Sequence, residues 1–191
     1  MSEDPYLYPD SDVLRNRLGI RDKTHLEYVE RELVTQRLTE GAPTGRFDLA
    51  HLRAIHHHLF QDLYEWAGEI RRVEIAKDGN QFQFRRFIET GMADVHRRLE
   101  EANFLRGLSG RDFAAAAGRI LGDVNYVHPF REGNGRVQAE YLRQLGAQAG
   151  HRIDLTQLDG VRWMAASRAA HQGAYSLLAA EILGAIRPDP S

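Results

Sequence analysis

The sequence contains no cysteine among its 191 residues. Disulfide bridges, cysteine nucleophiles and thiolate metal sites are therefore excluded, and a reducing cytoplasm is the compartment we expect. A surplus of charge is also missing, because the formal net charge is −2 at pH 7. The composition thus gives no indication of direct nucleic-acid binding or of an anionic membrane as a partner.

Long apolar runs are absent as well. The best candidate, Leu177 to Ile186, is interrupted by Glu181 and is too short to cross a bilayer. The segment from Met1 to Asp10 has neither the basic start nor the apolar run of a secretory signal. With 42% hydrophobic and 27% charged residues, the chain has an ordinary globular composition. We expect residues 1–191 to form a single domain.

Helical periodicity dominates the chain. Leu14 and Leu18 predict a short first helix, and Leu26, Val29 and Leu33 share one stripe of a longer helix. Further helices are predicted after Asp48, from about Arg86 to Leu99, from Ser109 to near Val127, from about Arg136 to Ala149, and as a pair between Thr156 and Ile186. The pattern indicates an all-α fold.

Residues 70–84 follow a different pattern. Val73 and Ile75 alternate with polar residues before an Asp78-Gly79 pair, and aromatic residues alternate after it. Period-two alternation around Asp-Gly predicts a β-hairpin. One hairpin cannot build a sheet, so we expect a surface flap with an open edge. From the residues alone, a hairpin that only covers the core is an equally good interpretation.

The most informative segment is residues 128–136, His-Pro-Phe-Arg-Glu-Gly-Asn-Gly-Arg. Pro129 disfavours helical geometry at the residue before it, so one helix ends here and another begins. The small residues 133–135 let backbone amides converge on an anion, and the dipole of the next helix adds positive potential there. Arg136 adds a fixed charge that can bind two phosphate oxygens. The segment therefore predicts a polyphosphate site.

Two side chains of this segment add chemistry to the anion site. Glu132 would repel phosphates unless Mg²⁺ lay between them, since Mg²⁺ prefers few carboxylates together with phosphate oxygens and water. His128 is the side chain of the segment whose ordinary pKa suits a base near neutrality. Phe130 is apolar and is expected to point inward and anchor the loop. Each element alone would be ordinary, but their coincidence within nine residues favours a functional site.

The nine residues resemble the signature loop of the Fic family, His-x-Phe-x-(Asp/Glu)-Gly-Asn-Gly-Arg. Asp4–Pro9 with Arg15–Leu18, and Trp66-Ala67-Gly68, are similar to bacterial Fic proteins of the toxin–antitoxin type. The resemblance implies an all-α Fic-fold helical bundle with a β-hairpin flap over the active-site loop. It also implies a protein adenylyltransferase, which transfers AMP from ATP to a hydroxyl side chain of a target protein.

The resemblance assigns roles to individual residues. It implies that His128 is the catalytic base and that Glu132 holds Mg²⁺. The implied contacts to nucleotide and phosphate are Phe130, Arg131, Gly133, Asn134, Gly135 and Arg136. The flap would dock the target by strand pairing, through Val73, Glu74, Ile75 and Ala76.

Partners follow from the same resemblance. It implies a small inhibitory antitoxin protein and, as targets, type II topoisomerases, notably the gyrase B subunit and topoisomerase IV. Relatives that inhibit themselves carry Ser/Thr-x-x-x-Glu-(Gly/Asn). Here Glu40-Gly41 is the nearest fragment, but Gln36 stands where a hydroxyl is needed. Inhibition is therefore expected in trans.

One departure from the family pattern leaves alternatives open. The family continues Gly-Asn-Gly-Arg-x-x-Arg, and Ala139 occupies the position of the second arginine here. Since that arginine helps to hold the outer phosphates, a weakened or silent nucleotide-binding protein is one alternative. A relative that transfers phosphate or phosphocholine is another. Gly135 argues against the kinase-like relatives, which carry a lysine at this position.

Other charged motifs favour structural interpretations. His56, His57 and His58 are consecutive on a helix and point in different directions, so they cannot share one metal ion. His56 is expected to face the core. The pairs Arg71-Arg72, Arg85-Arg86 and Arg97-Arg98 are expected on solvated faces.

Overall fold

A computed structural model describes residues 4–77 and 79–188. Seven α-helices lie in these ranges: α1 Lys23–Glu40, α2 Leu49–Phe60, α3 Ile88–Glu101, α4 Gly110–Val127, α5 Asn134–Ala149, α6 Gly160–His171 and α7 Ser176–Ala185. The predicted all-α class is confirmed. Within the same ranges, no helix is both long enough and apolar enough to cross a membrane.

The helices begin and end where the sequence supplies capping residues. Asp22, Asp48 and Ser109 each accept a hydrogen bond from the backbone amide three positions further on. This bond satisfies one of the amides that has no partner within a helix. Gly41 and Gly150 terminate α1 and α5 with φ of 86° and 89°, a conformation that side chains with a Cβ rarely adopt.

The core lies between the central helices, and its side chains are fully buried. Examples are Ile55 of α2, Met92 of α3, Val124 of α4, and Tyr141 and Leu142 of α5. Truncation of such residues to alanine costs about 2–5 kcal/mol.

A close contact between α4 and α7 places the C-terminal helices over the core. A Cβ on Gly118 of α4 would lie 3.0 Å from the backbone nitrogen of Ala179. Glycine therefore permits the close approach of the two helices. Because α6 precedes α7 and packs beside it, this contact also brings α6 close to the end of α4.

The predicted first helix around Leu14 and Leu18 is wrong. Leu14 instead forms an isolated antiparallel bridge with Leu7. The Asn16 side chain accepts a hydrogen bond from Ile20 N–H at 2.9 Å and donates one to Ile20 C=O at 2.7 Å. Such side-chain bonds to the local backbone compete with helix formation, and helical periodicity does not reveal them.

The predicted hairpin exists but its strands are short. β1, Ala76–Lys77, pairs antiparallel with β2, Asn80–Gln81, and Phe82 N–H bonds to Ile75 C=O at 3.2 Å. The predicted turn residue Asp78 lies outside the described residues. A second short pair was not predicted: β3, Arg152–Ile153, pairs with β4, Ile186–Arg187.

Candidate active site

The site is built where α4 ends. His128 is the C-cap residue of α4, with φ of 49° and ψ of 64°, and its amide still bonds to Val124 C=O at 3.0 Å. Pro129 follows, so the helix cannot continue. The predicted end near Val127 is confirmed, and the left-handed turn directs the chain from α4 toward α5.

The His128 imidazole has a defined tautomer. Its Nδ1 lies 3.1 Å from Asn125 C=O, and a carbonyl only accepts hydrogen bonds, so Nδ1 carries the proton. The lone pair is then on Nε2. The pKa of His128 is lowered to about 4, chiefly by burial; the hydrogen bond to Asn125 C=O opposes this shift, and the nearby charges of Arg71, Lys77 and His171 add to it. At neutral pH the ring is therefore an uncharged base.

The start of α5 forms an anion cradle. Gly133 has φ of 82°, and a Cβ there would lie 2.4 Å from the Phe60 ring. At Gly135 an added Cβ would meet nothing within 4 Å, so this glycine leaves open space beside the helix start. The first bond within α5 runs from Val137 N–H to Gly133 C=O at 3.2 Å, and the amides before it have no partner in the helix. Amides so placed suit a phosphate group.

Two side chains of the loop maintain its shape. The Asn134 carboxamide accepts from Phe130 N–H at 3.0 Å and donates to Phe130 C=O at 2.8 Å. Phe130 is fully buried and stacks on His56 with ring centroids 4.0 Å apart. The inward orientation of Phe130 is as expected, but its side chain does not line the cavity. A contact of Phe130 with the nucleotide therefore stays a prediction.

His56 supports the loop of residues 128–136 from its buried side. Its Nδ1 accepts a bond from Gly68 N–H at 2.7 Å, which leaves Nε2 to donate to Glu132 C=O at 3.1 Å. Burial lowers its pKa to about 3, so the ring stays neutral. Across the described ranges, no three His, Cys, Asp or Glu side chains are grouped as a metal would require. The core position expected for His56 is correct, but its bond to the loop was not predicted.

Arg71 overturns one expectation. Its side chain is 1% exposed, not solvated. Its guanidinium donates to His128 C=O at 2.8 Å, to Val73 C=O at 2.8 Å and to Gln83 C=O. Its backbone amide bonds to Pro129 C=O at 2.9 Å. Arg71 therefore joins both ends of the flap, residues 70–84, to the loop of residues 128–136.

Arg136 lies among aromatic and acidic neighbours. It pairs with the buried Glu30 of α1, and it lies 3.4 Å from a Glu132 oxygen. Its guanidinium carbon lies 4.9 Å above the Phe60 ring. Glu30 also accepts a hydrogen bond from the Tyr64 hydroxyl. This pairing fixes Arg136 at the base of the cradle, and sequence reasoning did not identify Glu30.

A cavity of about 560 Å³ lies between the flap, the loop and α6. Four cationic side chains line it, together with the Glu132 carboxylate: Lys77, Arg131, Arg136 and Arg168. Their charge complements a polyphosphate. Further lining residues come from α6, namely Gly160, Trp163, Met164, Ser167 and His171. This contribution of α6 was not predicted, because helical periodicity identifies a buried face and not a cavity wall.

The Glu132 side chain fits the expected magnesium role. It is 46% exposed, and its Oε1 accepts a bond from Gly133 N–H at 2.9 Å. Its carboxylate lies beside the start of α5, where phosphates would bind. A carboxylate so placed can share Mg²⁺ with phosphate oxygens and water.

Glu40 lies outside this cavity. Its carboxylate pairs with Arg37 at 2.8 Å and accepts from Gln36 at 3.3 Å, all on the surface of α1. Its contacts are those of a residue at a helix end, as the sequence predicted.

The four expected docking residues occupy different positions in the flap. Of these, Ala76 is in β1 and is exposed, whereas Val73, Glu74 and Ile75 precede the strand. The Glu74 carboxylate accepts from Arg85 N–H at 2.9 Å. The Ile75 carbonyl faces β2, so the alternation of a strand directs the Ala76 amide to the open edge.

Known proteins are similar to this chain in sequence and in fold. Residues 46–145 match the model of the Fic/DOC family. The chain is 40% identical to protein adenylyltransferase VbhT of Bartonella schoenbuchensis, over 95% of the chain and 38% of that protein. It is 39% identical to probable protein adenylyltransferase y4lH of Sinorhizobium fredii, over 94% of each. The chain thus spans well under half of the first relative and nearly all of the second.

Solved structures agree with the sequence relatives. The BepC protein of Bartonella tribocorum, crystallised with bound AMPPNP, superposes with a TM-score of 0.88 at 26% identity, over 97% of each chain. The N-terminal Fic domain of a putative cell filamentation protein from Bartonella quintana, with bound ADP, superposes with a TM-score of 0.87 at 28% identity, over 96% of this chain and 94% of that one. The chain therefore belongs to the Fic/DOC family.

Proposed function

We propose that the protein is a protein adenylyltransferase that moves AMP from ATP to a hydroxyl side chain of a target protein. One observation carries the proposal: the His128 ring and the cradle at the start of α5 line the same cavity. A base beside a polyphosphate site is what hydroxyl attack on ATP requires. The nucleotides bound to BepC and to the Bartonella quintana domain support ATP as the donor.

The proposed reaction needs one proton transfer. His128 Nε2 removes the proton of the target hydroxyl, whose oxygen forms a bond to the α-phosphorus of ATP. The bond between the α-phosphorus and the bridging oxygen to the β-phosphate breaks, and pyrophosphate leaves. The amides at the start of α5 and the Arg136 side chain stabilise the charge that develops on the phosphate oxygens.

Glu132 would hold Mg²⁺ together with the phosphates, and the ion would neutralise phosphate charge when bound. A purified protein incubated with labelled ATP, Mg²⁺ and cell lysate tests the proposal. We expect a labelled protein band whose mass increases by one AMP. ATP binding without a labelled product, under conditions that support a related adenylyltransferase, would contradict it.

The flap is proposed to bind the target segment along the open edge of β1. The structure offers the exposed Ala76 amide at that edge. Pairing of main chains sets the register of the bound segment and leaves its sequence largely free.

Replacement of Ala76 by proline tests this docking. Ala76→Pro removes the outward amide, whereas Ala76→Val keeps it and is the matched control. We expect the proline variant to lose about tenfold in target modification, as one net hydrogen bond of about 1 kcal/mol and a strained strand together predict. Its ATP affinity should be unchanged. Equal target modification by both variants would exclude edge pairing at Ala76.

Ala139 suggests how activity could be raised. It is half-buried on α5 and lies one turn beyond Arg136. An arginine here would add a charge-assisted contact to the outer phosphates, worth about 1.5–3 kcal/mol. We expect Ala139→Arg to increase AMP transfer roughly tenfold or more. Ala147→Arg adds the same charge at the far end of α5 and should have no effect. No gain from Ala139→Arg would show that other residues hold these phosphates.

Ala139 also favours a second candidate, a Fic protein that binds nucleotide without catalysis. In that case both the wild-type chain and Ala139→Arg would bind ATP, and neither would label a target. Transfer of phosphate or phosphocholine would be recognised by the mass added to the target.

The biological setting is proposed from the family resemblance. We propose a cytoplasmic toxin that a small antitoxin protein inhibits in trans, with the gyrase B subunit or topoisomerase IV as the target. Two facts support the cytoplasm: the reaction requires ATP, and a chain without cysteine is compatible with a reducing compartment. Purified gyrase B and topoisomerase IV subunits, incubated separately with the protein and labelled ATP, test the target. Labelling of other lysate proteins but neither subunit would refute this assignment.

A further inference from the structure

The His128 ring has two contacts that differ in what they restrain. The bond from Nδ1 to Asn125 C=O fixes one edge of the imidazole. A single hydrogen bond still allows the ring plane to tilt about that contact. The second contact is with Phe82, whose ring centroid lies 3.7 Å from that of His128, with the planes 19° apart. The stack therefore restrains the tilt that the hydrogen bond leaves free.

Phe82 is itself held on several sides. It is 8% exposed and its amide bonds to Ile75 C=O at 3.2 Å, so it belongs to the hairpin. The next amide, that of Gln83, bonds to Tyr126 C=O at 3.0 Å at the end of α4. From α6, His171 contacts the Phe82 ring edge-on with centroids 5.6 Å apart. The aromatic ring thus lies between α4, α6 and the rest of the flap.

From this arrangement we propose that Phe82 is a positioning residue, which sets the angle of the His128 imidazole and transmits the conformation of the flap to the base. The inference rests on the proposed function, because the angle matters only if His128 Nε2 meets a hydroxyl. The angle of the His128 imidazole would then differ between an empty flap and a flap that holds a target segment.

The stack also shields the base from water. Burial is the largest cause of the low pKa of His128, and Phe82 covers one face of the ring. The charged and titratable groups that act on His128 are Arg71 behind the loop, Lys77 on β1 and His171 on α6. All three disfavour a positive charge on the His128 ring and so lower its pKa. Removal of Phe82 should therefore expose His128 and raise its pKa from about 4 toward the ordinary 6.5.

Phe82→Ala tests the role by kinetics. We expect kcat for AMP transfer to fall about 10- to 100-fold, as for a misplaced catalytic group, with the KM for ATP within about twofold of wild type. The acidic limb of the pH–rate profile should move to higher pH, because the pKa of His128 rises. Phe82→Tyr keeps the ring and should restore the rate and the profile. Phe104→Ala is the matched control, because Phe104 is a half-buried aromatic beside His96 and does not line the cavity.

NMR titration of the His128 ring tests the same inference without a target. The midpoint should rise in Phe82→Ala and stay unchanged in Phe82→Tyr and Phe104→Ala. If Phe82→Ala does not fold, Phe82→Leu keeps an apolar side chain and loses the flat stack. An unchanged midpoint and rate, or equal losses of kcat and of ATP affinity, would overturn the inference. If the midpoint rises in Phe82→Ala but the wild-type protein transfers no AMP, the proposed function is refuted and the contact between Phe82 and His128 is not.

Discussion

Replacement of His128 should abolish most AMP transfer while ATP binding persists. Loss of a general base typically costs about 10²–10⁴ in rate. The phosphate contacts come from the start of α5 and from Arg136, so the affinity for ATP should remain. His128→Asn is the better variant, because asparagine tolerates the left-handed conformation that His128 adopts, with φ of 49°. His128→Ala would combine loss of the base with backbone strain.

The measurement compares labelling rates with labelled ATP, and ATP affinity by calorimetry. His25→Asn is a suitable control, since His25 is exposed on α1 and does not line the cavity. It should label like the wild type. Undiminished labelling by His128→Asn would remove His128 from the mechanism. A parallel loss of ATP affinity would show that the residue shapes the cradle instead.

Replacement of Arg71 should have the largest effect on stability. Its guanidinium donates to carbonyls at both ends of the flap and at His128, and loss of one partner of a buried charged network costs about 3–5 kcal/mol. Arg71→Met keeps the length of the side chain but leaves these carbonyls without donors. Arg71→Lys should recover only part of the loss, because an ammonium group cannot reproduce the planar fork of donors.

Urea unfolding provides the test, with limited proteolysis to report on the flap. Arg72→Met is the matched control, because Arg72 is exposed and its side chain pairs with Glu69 at 2.7 Å. An exposed pair of this kind contributes about 0–1 kcal/mol. We expect cleavage within residues 70–84 to accelerate in Arg71→Met alone. A free-energy change below about 1 kcal/mol for Arg71→Met would show that water replaces the guanidinium.

The roles of His128 and Arg71 differ in how far the sequence predicts them. His128 is found through its neighbours, since a base, a carboxylate, small residues and an arginine lie within nine positions. Arg71 is found only in space, because its partners at 83 and 128 are distant in the chain. In the sequence it is half of a basic pair, and such pairs are normally solvated.

Local rules determined the parts of this protein that depend on neighbours in the chain. Helix periodicity, capping residues and Pro129 set the all-α class, the end of α4 and the start of the cradle, because these preferences act over a few residues. Tertiary structure alone decided the burial of Arg71, the stack of Phe82 on His128 and the contribution of α6 to the cavity. Each of these joins segments far apart in sequence, and their energies depend on burial and contact geometry that no local pattern encodes.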